Sequence, residues 1–402
     1  MRPNVLVLSC LFPNSQQPDY GVFVRSRLQA VGRICNVRVV APVAQYPLFD
    51  GILRGRRNGV AVPLQEHCEA LQVHHPRFLV IPRFLKWLDA LTYYFAVAPV
   101  VKRIEDQDAF DSDLIDVHWT YPDSVAGYWL ARRRHKKFLV TVRGREALYP
   151  GERSLRRWML RYCLRRAAAI VTLSDELKAL VLELGVPPDR VRTILNGVDP
   201  SRFHLQSAAD CRRKLGLAMN KTILVSVGSL TRRKGHDALV RMMPVLSAGR
   251  EVELYILGNP GPEGDTTAEL DSLIARLGLS NVHIVGGVGH TTLADWYGAA
   301  DLFCLATRGE GCPNVVLEAL ACGVPVVSTD VGAVRHLVTD GVNGFLLPLD
   351  RLDQLAEVVA KALGWSWDRQ QIAERMGRQG WAQCAEEVIG TYQSVLAARA
   401  GA

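Results

Sequence analysis

The chain has 402 residues, which at roughly 100 to 200 residues per domain is enough for two domains with a core each. Apolar types make up 49% and charged types 22%, and Gly and Pro are scattered without period, so a disordered or collagen-like chain is excluded. The net charge of +8 is lopsided: residues 1–200 hold 29 Lys+Arg against 19 Asp+Glu, or +10, while residues 201–402 hold 19 against 21, or −2.

From the N-terminus, Val5 to Leu8 reads as the first buried strand. The apolar run Val5 to Phe12 is short for a signal peptide and is followed by Pro13, Asn14 and Ser15 where a cleavage site would need small residues. Further apolar runs bounded by turn residues follow at Val37 to Val40, Leu114 to Val117, Phe138 to Val142 and Ile170 to Leu173, and helix-like periodicity lies between them. This alternation predicts a parallel sheet covered by helices on both faces. The second half repeats it with Ile223 to Val227, Val252 to Leu257, Val282 to Val285, Leu302 to Leu305, Val324 to Ser328 and Gly344 to Leu347. The fold class is therefore α/β, with two Rossmann-like doubly wound domains. Gly185 to Phe203 gathers Pro187-Pro188, Asn196-Gly197 and Pro200, which places the boundary near residue 203. The expected division is 1–203, 204–364 and a helical segment 365–402, with Trp365, Trp367, Trp381 and Tyr392 on periodic faces, crossing back onto the first domain.

Nine Cys with no C-x-x-C pair fit neither a disulfide framework nor a zinc site, and a reducing cytoplasm is the simplest home. The longest uncharged apolar run, Ala90 to Val101, falls short of the about 20 residues a membrane-spanning helix needs. Contact with a membrane surface is a separate matter. Arg153 to Arg166 holds six Arg and sets Leu155, Trp158, Met159 and Tyr162 at i, i+3, i+4 and i+7. Either that stripe packs on the core beneath a solvated Arg face, or it meets anionic lipid or an anionic acceptor. Arg77 to Arg103, where Arg83, Lys86, Lys102 and Arg103 interleave with Phe84, Trp87, Tyr93, Tyr94 and Phe95, carries the same pair of readings.

Two doubly wound domains put a cleft at the carboxyl ends of their sheets, the usual place for a phosphate-bearing ligand. No G-x-G-x-x-G follows the first strand and no G-x-x-x-x-G-K-[ST] occurs, which argues against a nicotinamide enzyme and a P-loop hydrolase. The most informative stretch is Arg308-Gly309-Glu310-Gly311-Cys312-Pro313-Asn314-Val315 continuing to Glu318-Ala319-Leu320-Ala321-Cys322-Gly323-Val324-Pro325. It follows a strand and opens a helix near Pro313, so the amides around Cys312 to Val315 make an anion site. Glu310 and Glu318, eight residues apart, can face one cleft, where carboxylates would repel phosphate unless they accept hydroxyl hydrogen bonds. That combination points to a sugar nucleotide. Cations come from Gly228-Ser229-Leu230-Thr231-Arg232-Arg233-Lys234-Gly235 after another strand.

Together with Asn196-Gly197-Val198-Asp199 and Asp113-Leu114-Ile115-Asp116-Val117-His118-Trp119, these motifs resemble the retaining glycosyltransferases of family 4, over nearly the whole chain from Phe12 to about Asp350. The resemblance implies the glycosyltransferase B fold, with the acceptor held by the first domain and the nucleotide sugar, UDP- or GDP-linked, by the second. It implies that Glu318 holds ribose hydroxyls, that Glu310 meets the transferred sugar, and that Cys312, Pro313, Asn314 and Val315 line sugar and phosphate. It further implies that Lys234 contacts the diphosphate, that His118 orients a sugar hydroxyl by its ring or carbonyl, that Gly21 lets backbone approach phosphate and acceptor, and that Val288 pairs with the nucleobase. No metal is expected, because Lys234 and an Arg supply the charge; Asp111-Ser112-Asp113 reads as a turn before a strand.

Two departures stand out. Ser229 replaces a common family arginine, leaving Arg232 or Arg233 to act instead, and Arg143-Gly144-Arg145-Glu146 replaces a His-Gly-x-Asp run, pointing to an acidic acceptor. The expected activity is retaining transfer to a glycan or lipid-linked acceptor in bacterial cell-surface polysaccharide biosynthesis, in the cytoplasm or on the inner membrane face, with no nucleic-acid partner. The alternatives are a sugar-nucleotide epimerase of the same fold and a non-catalytic basic membrane-binding module.

Overall fold

The structure, a computed structural model, describes residues 2–46, 62–81, 83–145, 148, 154–261 and 263–398. It divides into two compact units, residues 1–196 with 381–402 and residues 197–380.

The first unit contains strands β1 (Asn4–Leu8), β2 (Asn36–Val40), β3 (Val43–Gln45), β4 (Gln65–Cys68), β5 (Leu71–His74), β6 (Arg77–Leu79), β7 (Leu114–Val117), β8 (Lys137–Val142), β9 (Ala169–Thr172) and β10 (Val191–Thr193). Eight of them form one sheet in the order β10-β9-β8-β7-β1-β2-β5-β4, parallel except for β4 against β5, while β3 and β6 pair separately. Its helices are α1 (Val22–Gly32), α2 (Asp89–Gln107), α3 (Asp123–Arg133), α4 (Leu155–Leu164) and α5 (Asp175–Glu183). Strands β7 and β9 are buried along their whole length, as a parallel sheet covered on both faces requires. The chain order reverses about β1, which pairs with β2 on one side and β7 on the other, so the crevice between the carboxyl ends of β1 and β7 is the switch point.

The second unit contains helices α6 (Ala208–Leu215), α7 (His236–Leu246), α8 (Thr267–Arg276), α9 (His290–Ala299), α10 (Asn314–Ala321), α11 (Val334–Leu337), α12 (Leu355–Leu363) and α13 (Arg369–Gly377). Its strands β11 (Thr222–Val227), β12 (Val252–Leu257), β13 (Val282–Gly286), β14 (Leu302–Leu305), β15 (Val326–Thr329) and β16 (Gly344–Leu347) form an all-parallel sheet in the order β13-β12-β11-β14-β15-β16. Here the order reverses between β11 and β14.

The eleven strands expected from apolar runs are all present, within two residues at each end. Those not expected are β3 to β6 and β10. Gln65–Cys68 has no apolar run because it is an edge strand with alternating exposure. The division between the units falls at Asn196/Gly197 rather than after residue 203, and the chain rejoins the first unit at Trp381 rather than at 365. The reason lies in the aromatic packing: Trp365 and Trp367 stack edge-on against Phe345 of β16, and α13 packs on α10, which keeps this segment in the second unit.

The last helix, α14 (Trp381–Ala397), lies on α1 and completes the first unit's core, where Cys384, Ala385, Val388, Ile389, Tyr392 and Val395 meet Val24, Leu28 and Val31. Because this helix is separated from the rest of its core by the whole second unit, its apolar face is what secures it. Ile389→Ala is expected to cost the first unit about 2 to 5 kcal/mol by cavity formation, read as a lowered urea midpoint; an unchanged midpoint would remove α14 from the core.

A carboxylate and cation cluster at the second switch point

The loop after β11 and the loop after β14 both emerge at the carboxyl edge where the second sheet reverses. The first closes into a tight 3-10 turn, Arg232–Lys234, capped by Gly235 in the left-handed region at φ 71°. A Cβ on Gly235 would lie 1.8 Å from the carbonyl oxygen of Ala306, so only glycine allows the two loops to approach this closely. Gly228 leaves room in turn for the stem of Lys234.

The two loops are joined by an ion pair. Lys234 Nζ lies 2.6 Å from Glu310 Oε1, and both side chains are largely buried. Thr307 Oγ1 donates to the same carboxylate oxygen at 3.0 Å, and Arg233 Nη1 lies 3.5 Å from Oε2. Arg233 also donates to the carbonyl of Gly309 at 2.9 Å and pairs with Glu263 at 2.8 Å. Arg232 turns the other way: it is 81% exposed and pairs with Glu269 on α8. Of the two arginines that are alternatives for the place left by Ser229, the structure brings Arg233 to Glu310 and leaves Arg232 outside.

Helix α10 starts at Asn314 with Pro313 as the capping residue, so Cys312, Pro313, Asn314 and Val315 stand at the positive end of its dipole. Glu318, one turn further on, accepts a hydrogen bond from Tyr297 of α9 at 2.9 Å. It keeps partial exposure, yet its surroundings push its carboxyl up to about 7, burial acting against the Tyr297 hydrogen bond. Val288 lies half-exposed in the loop after β13, on the same edge of the parallel sheet, where Gly287 N donates to Asn259 Oδ1 at 2.9 Å.

In the first unit, Gly21 caps α1 in the left-handed region at φ 73°, and its missing Cβ would fall 2.7 Å from the Leu11 backbone. His118 follows β7 at that unit's switch point and is fully buried. Arg143 Nη2 donates to its Nδ1 at 2.7 Å, so Nδ1 is the acceptor and Nε2–H donates to Asp116 Oδ2 at 2.9 Å. Tyr392 of α14 also donates to Asp116. Burial, with the nearby Arg143 and Arg27 charges, lowers the His118 pKa against the pull of Asp116 and keeps the ring neutral. For Asp116, burial pushes upward but the hydrogen bonds of His118 and Tyr392 prevail and hold it low. Both ring nitrogens of His118 are thus engaged, and of the two roles expected for it only the main-chain one stays open.

The expected guanidinium pair also separates. Arg143 is drawn into this buried network, whereas Arg145 is exposed and pairs with Glu176 at 3.3 Å; Glu146 lies outside the described residues. Asp113 accepts from the Asn4 amide at 2.8 Å and Asp111 pairs with Lys136, both at the amino end of β7, the edge opposite to the switch point.

Sequence reasoning missed Tyr297, Thr307, Asp116, Tyr392 and Gly332. A Cβ on Gly332 (φ 57°) would lie 2.1 Å from the Glu310 carbonyl oxygen, and Ala333 N donates to Gly311 O, so the turn after β15 supports the Glu310 loop. Asp116 did carry a signal, as an acid in the middle of an otherwise apolar strand. Tyr297, Tyr392 and Gly332 are distant in sequence from the groups they serve, 21 residues for Tyr297 and Glu318, whereas Thr307 lies three residues before Glu310 and carries no pattern of its own.

Two doubly wound, parallel-sheet units define the glycosyltransferase B fold. The structure of a sucrose-phosphate synthase from Thermosynechococcus elongatus superposes with a TM-score of 0.76 at 21% identity, covering 99% of this chain and 100% of that one. Anabaena HepE in complex with UDP gives 0.71 at 19% identity, over 98% and 100%. Residues 27–202 match the family model described as Glycosyltransferase Family 4 and residues 221–364 that described as Glycosyl transferases group 1. The chain belongs to this family of glycosyltransferases. Among its relatives is TuaC of Bacillus subtilis (strain 168), named as a teichuronic acid biosynthesis glycosyltransferase, 25% identical over 83% of this chain and 82% of that protein.

The raised pKa of Glu318 has a definite consequence for stability. The folded state holds its proton more tightly than the unfolded chain, so this contribution is complete below the ordinary carboxylate range and is lost as pH rises through about 7. Glu318→Gln removes the loss, and its Tm relative to wild type is expected to rise between about pH 5 and about pH 8. A difference that stays flat over that range would contradict a buried, proton-holding carboxyl.

Proposed function

We propose that this glycosyltransferase moves a sugar from a nucleotide-sugar donor to a glycan or lipid-linked acceptor, with retention of configuration, in bacterial cell-surface polysaccharide biosynthesis. The observation that carries this reading is the Lys234–Glu310–Arg233 cluster at the second switch point, next to the N-terminus of α10. A diphosphate draws on Lys234, Arg233 and the first-turn amides of α10; the hydroxyls of a sugar and a ribose draw on Glu310 and Glu318. Support comes from the relative named for teichuronic acid biosynthesis and from the UDP held by the structurally similar HepE.

In this reading the second unit binds the donor, UDP- or GDP-linked, and Val288 offers backbone groups to the base. The first unit binds the acceptor, with Gly21 and the main chain of His118 as its contributions. Transfer proceeds by same-face displacement: the bond from the sugar to the diphosphate oxygen breaks, the acceptor oxygen bonds to the same face of the sugar, and the departing diphosphate takes the acceptor proton. Lys234, Arg233 and the α10 amides stabilise the charge that grows on the diphosphate. Glu310 has a second duty, because in the free protein it neutralises Lys234 and keeps that cation in place at a helix start where the dipole opposes it.

Lys234→Ala and Glu310→Ala are each expected to lower turnover on the order of a hundredfold, measured as nucleoside diphosphate release, with an NMR spectrum of the sugar product separating transfer from epimerisation. Wild-type turnover in either variant would sink the assignment of the cluster. In a thermal-shift panel of UDP, GDP, ADP and dTDP sugars, one base is expected to raise Tm and Glu318→Ala to diminish the shift. A full shift in that variant would move the ribose elsewhere.

A further inference from the structure

The first unit turns apolar side chains outward on two adjoining elements. Leu91 and Phe95 lie four residues apart on one face of α2, and Trp87 precedes them in the 3-10 turn Arg83–Leu88. All are exposed, Phe95 by 65%, as is Leu85 in the same turn. The opposite face of α2 supplies Ala90, Tyr93, Val97, Val101 and Ile104 to the core.

Helix α4 is built the same way. Leu160, Cys163 and Leu164 are buried, Met159 and Tyr162 pack partly against the cluster around Tyr121, and Leu155 and Trp158 face solvent, Trp158 by 61%. Of the stripe read from the sequence, half therefore packs inward and half is left outside; Arg153 lies outside the described residues. The two outward sets adjoin, because α4 packs against the 3-10 turn and the Arg156 charge acts on Asp89, the first residue of α2.

Single exposed apolar residues are ordinary, but two Trp, a Phe and three Leu exposed on α4, on the 3-10 turn it packs against and on the helix that turn leads into are more than scatter. Its surroundings are basic. Residues 154–166 contain five Arg and no Asp or Glu, Arg161, Arg165 and Arg166 are exposed, and Lys86 flanks Trp87. Trp rings suit the headgroup level of a bilayer, and Arg stems can lie along apolar surface while their heads reach phosphate. Among the described residues no helix is long and apolar enough to cross a membrane, so such contact would be lateral.

We propose that this face docks on an anionic phospholipid bilayer, Trp87, Leu91, Phe95, Leu155 and Trp158 entering the boundary between headgroups and acyl chains while the α4 arginines meet lipid phosphates. The proposal rests on the reading of a lipid-linked acceptor for its purpose, but it can be tested without any acceptor. The full chain is sedimented with vesicles of phosphatidylglycerol and phosphatidylcholine that contain no glycan. Wild type is expected to bind these vesicles at low salt and to lose roughly tenfold or more in affinity on pure phosphatidylcholine or in about 0.5 M salt. Phe95→Glu with Trp158→Glu should lose at least as much while its Tm and nucleotide-induced thermal shift stay those of wild type. Arg161→Glu with Arg165→Glu should weaken binding to the anionic vesicles only. Brominated acyl chains should quench the wild-type tryptophan fluorescence. Wild type left in the supernatant at low salt would overturn the proposal, as would an unaffected Phe95/Trp158 variant. A dimer that this variant dissociates, without vesicle binding, would assign the face to a second copy of the chain instead. Loss of nucleotide binding with vesicle binding intact would count against the donor site alone.

Discussion

The candidate site depends on one ion pair, Lys234 to Glu310, that ties the loop after β11 to the loop after β14 across the point where the second sheet reverses. A buried pair of this kind adds little to stability, because desolvation offsets most of the attraction. Its value is positional. A lysine at the start of α7 would be pushed away by the helix dipole unless Glu310 held it, and Glu310 is itself fixed by Thr307 and Arg233 as well as by Lys234. The rest of the local structure serves this contact: Gly235 permits the loops to touch, Thr307 fixes the carboxylate, and the turn around Gly332 supports the backbone beneath Glu310.

The first unit solves a related problem in its core. Asp116 sits in a strand buried on both faces, where an unpaired carboxylate would be prohibitive. It is satisfied by His118 and by Tyr392, and the tyrosine arrives on a helix that returns only after the whole second unit has been made. The C-terminal helix thus both closes the apolar core and completes the polar network beside the β1–β7 switch point. Arg143 finishes the arrangement by choosing the His118 tautomer.

Much of this was legible beforehand. Parallel strands buried on both faces must be short continuous apolar runs, and each run that predicted one became one. The loops that carry Glu310, Glu318 and Lys234 were legible because each follows a strand and opens a helix, with a proline at a first helical turn, a cation ahead of a helix whose dipole disfavours it, and an order of motifs that resembles a known family. Strand β4 was not, since Gln65–Cys68 has neither an apolar run nor a face that needs burying. The segment 365–380 was misplaced because Trp365 and Trp367 are apolar against any core, and only the position of Phe345 settles which core takes them.

The sequence by itself determined the two-sheet α/β architecture and the residues able to carry phosphate and sugar chemistry, because both follow from local pattern and short spacing. Tertiary structure alone decided that Arg233 and not Arg232 joins Glu310, that the His118 ring is spent inside the protein, and that Trp158 faces solvent while Met159 beside it packs inward. Each of these turns on which way a side chain points, and the first two on partners that the fold brings near, 25 residues away for Arg143 and His118, so no local pattern carries that information.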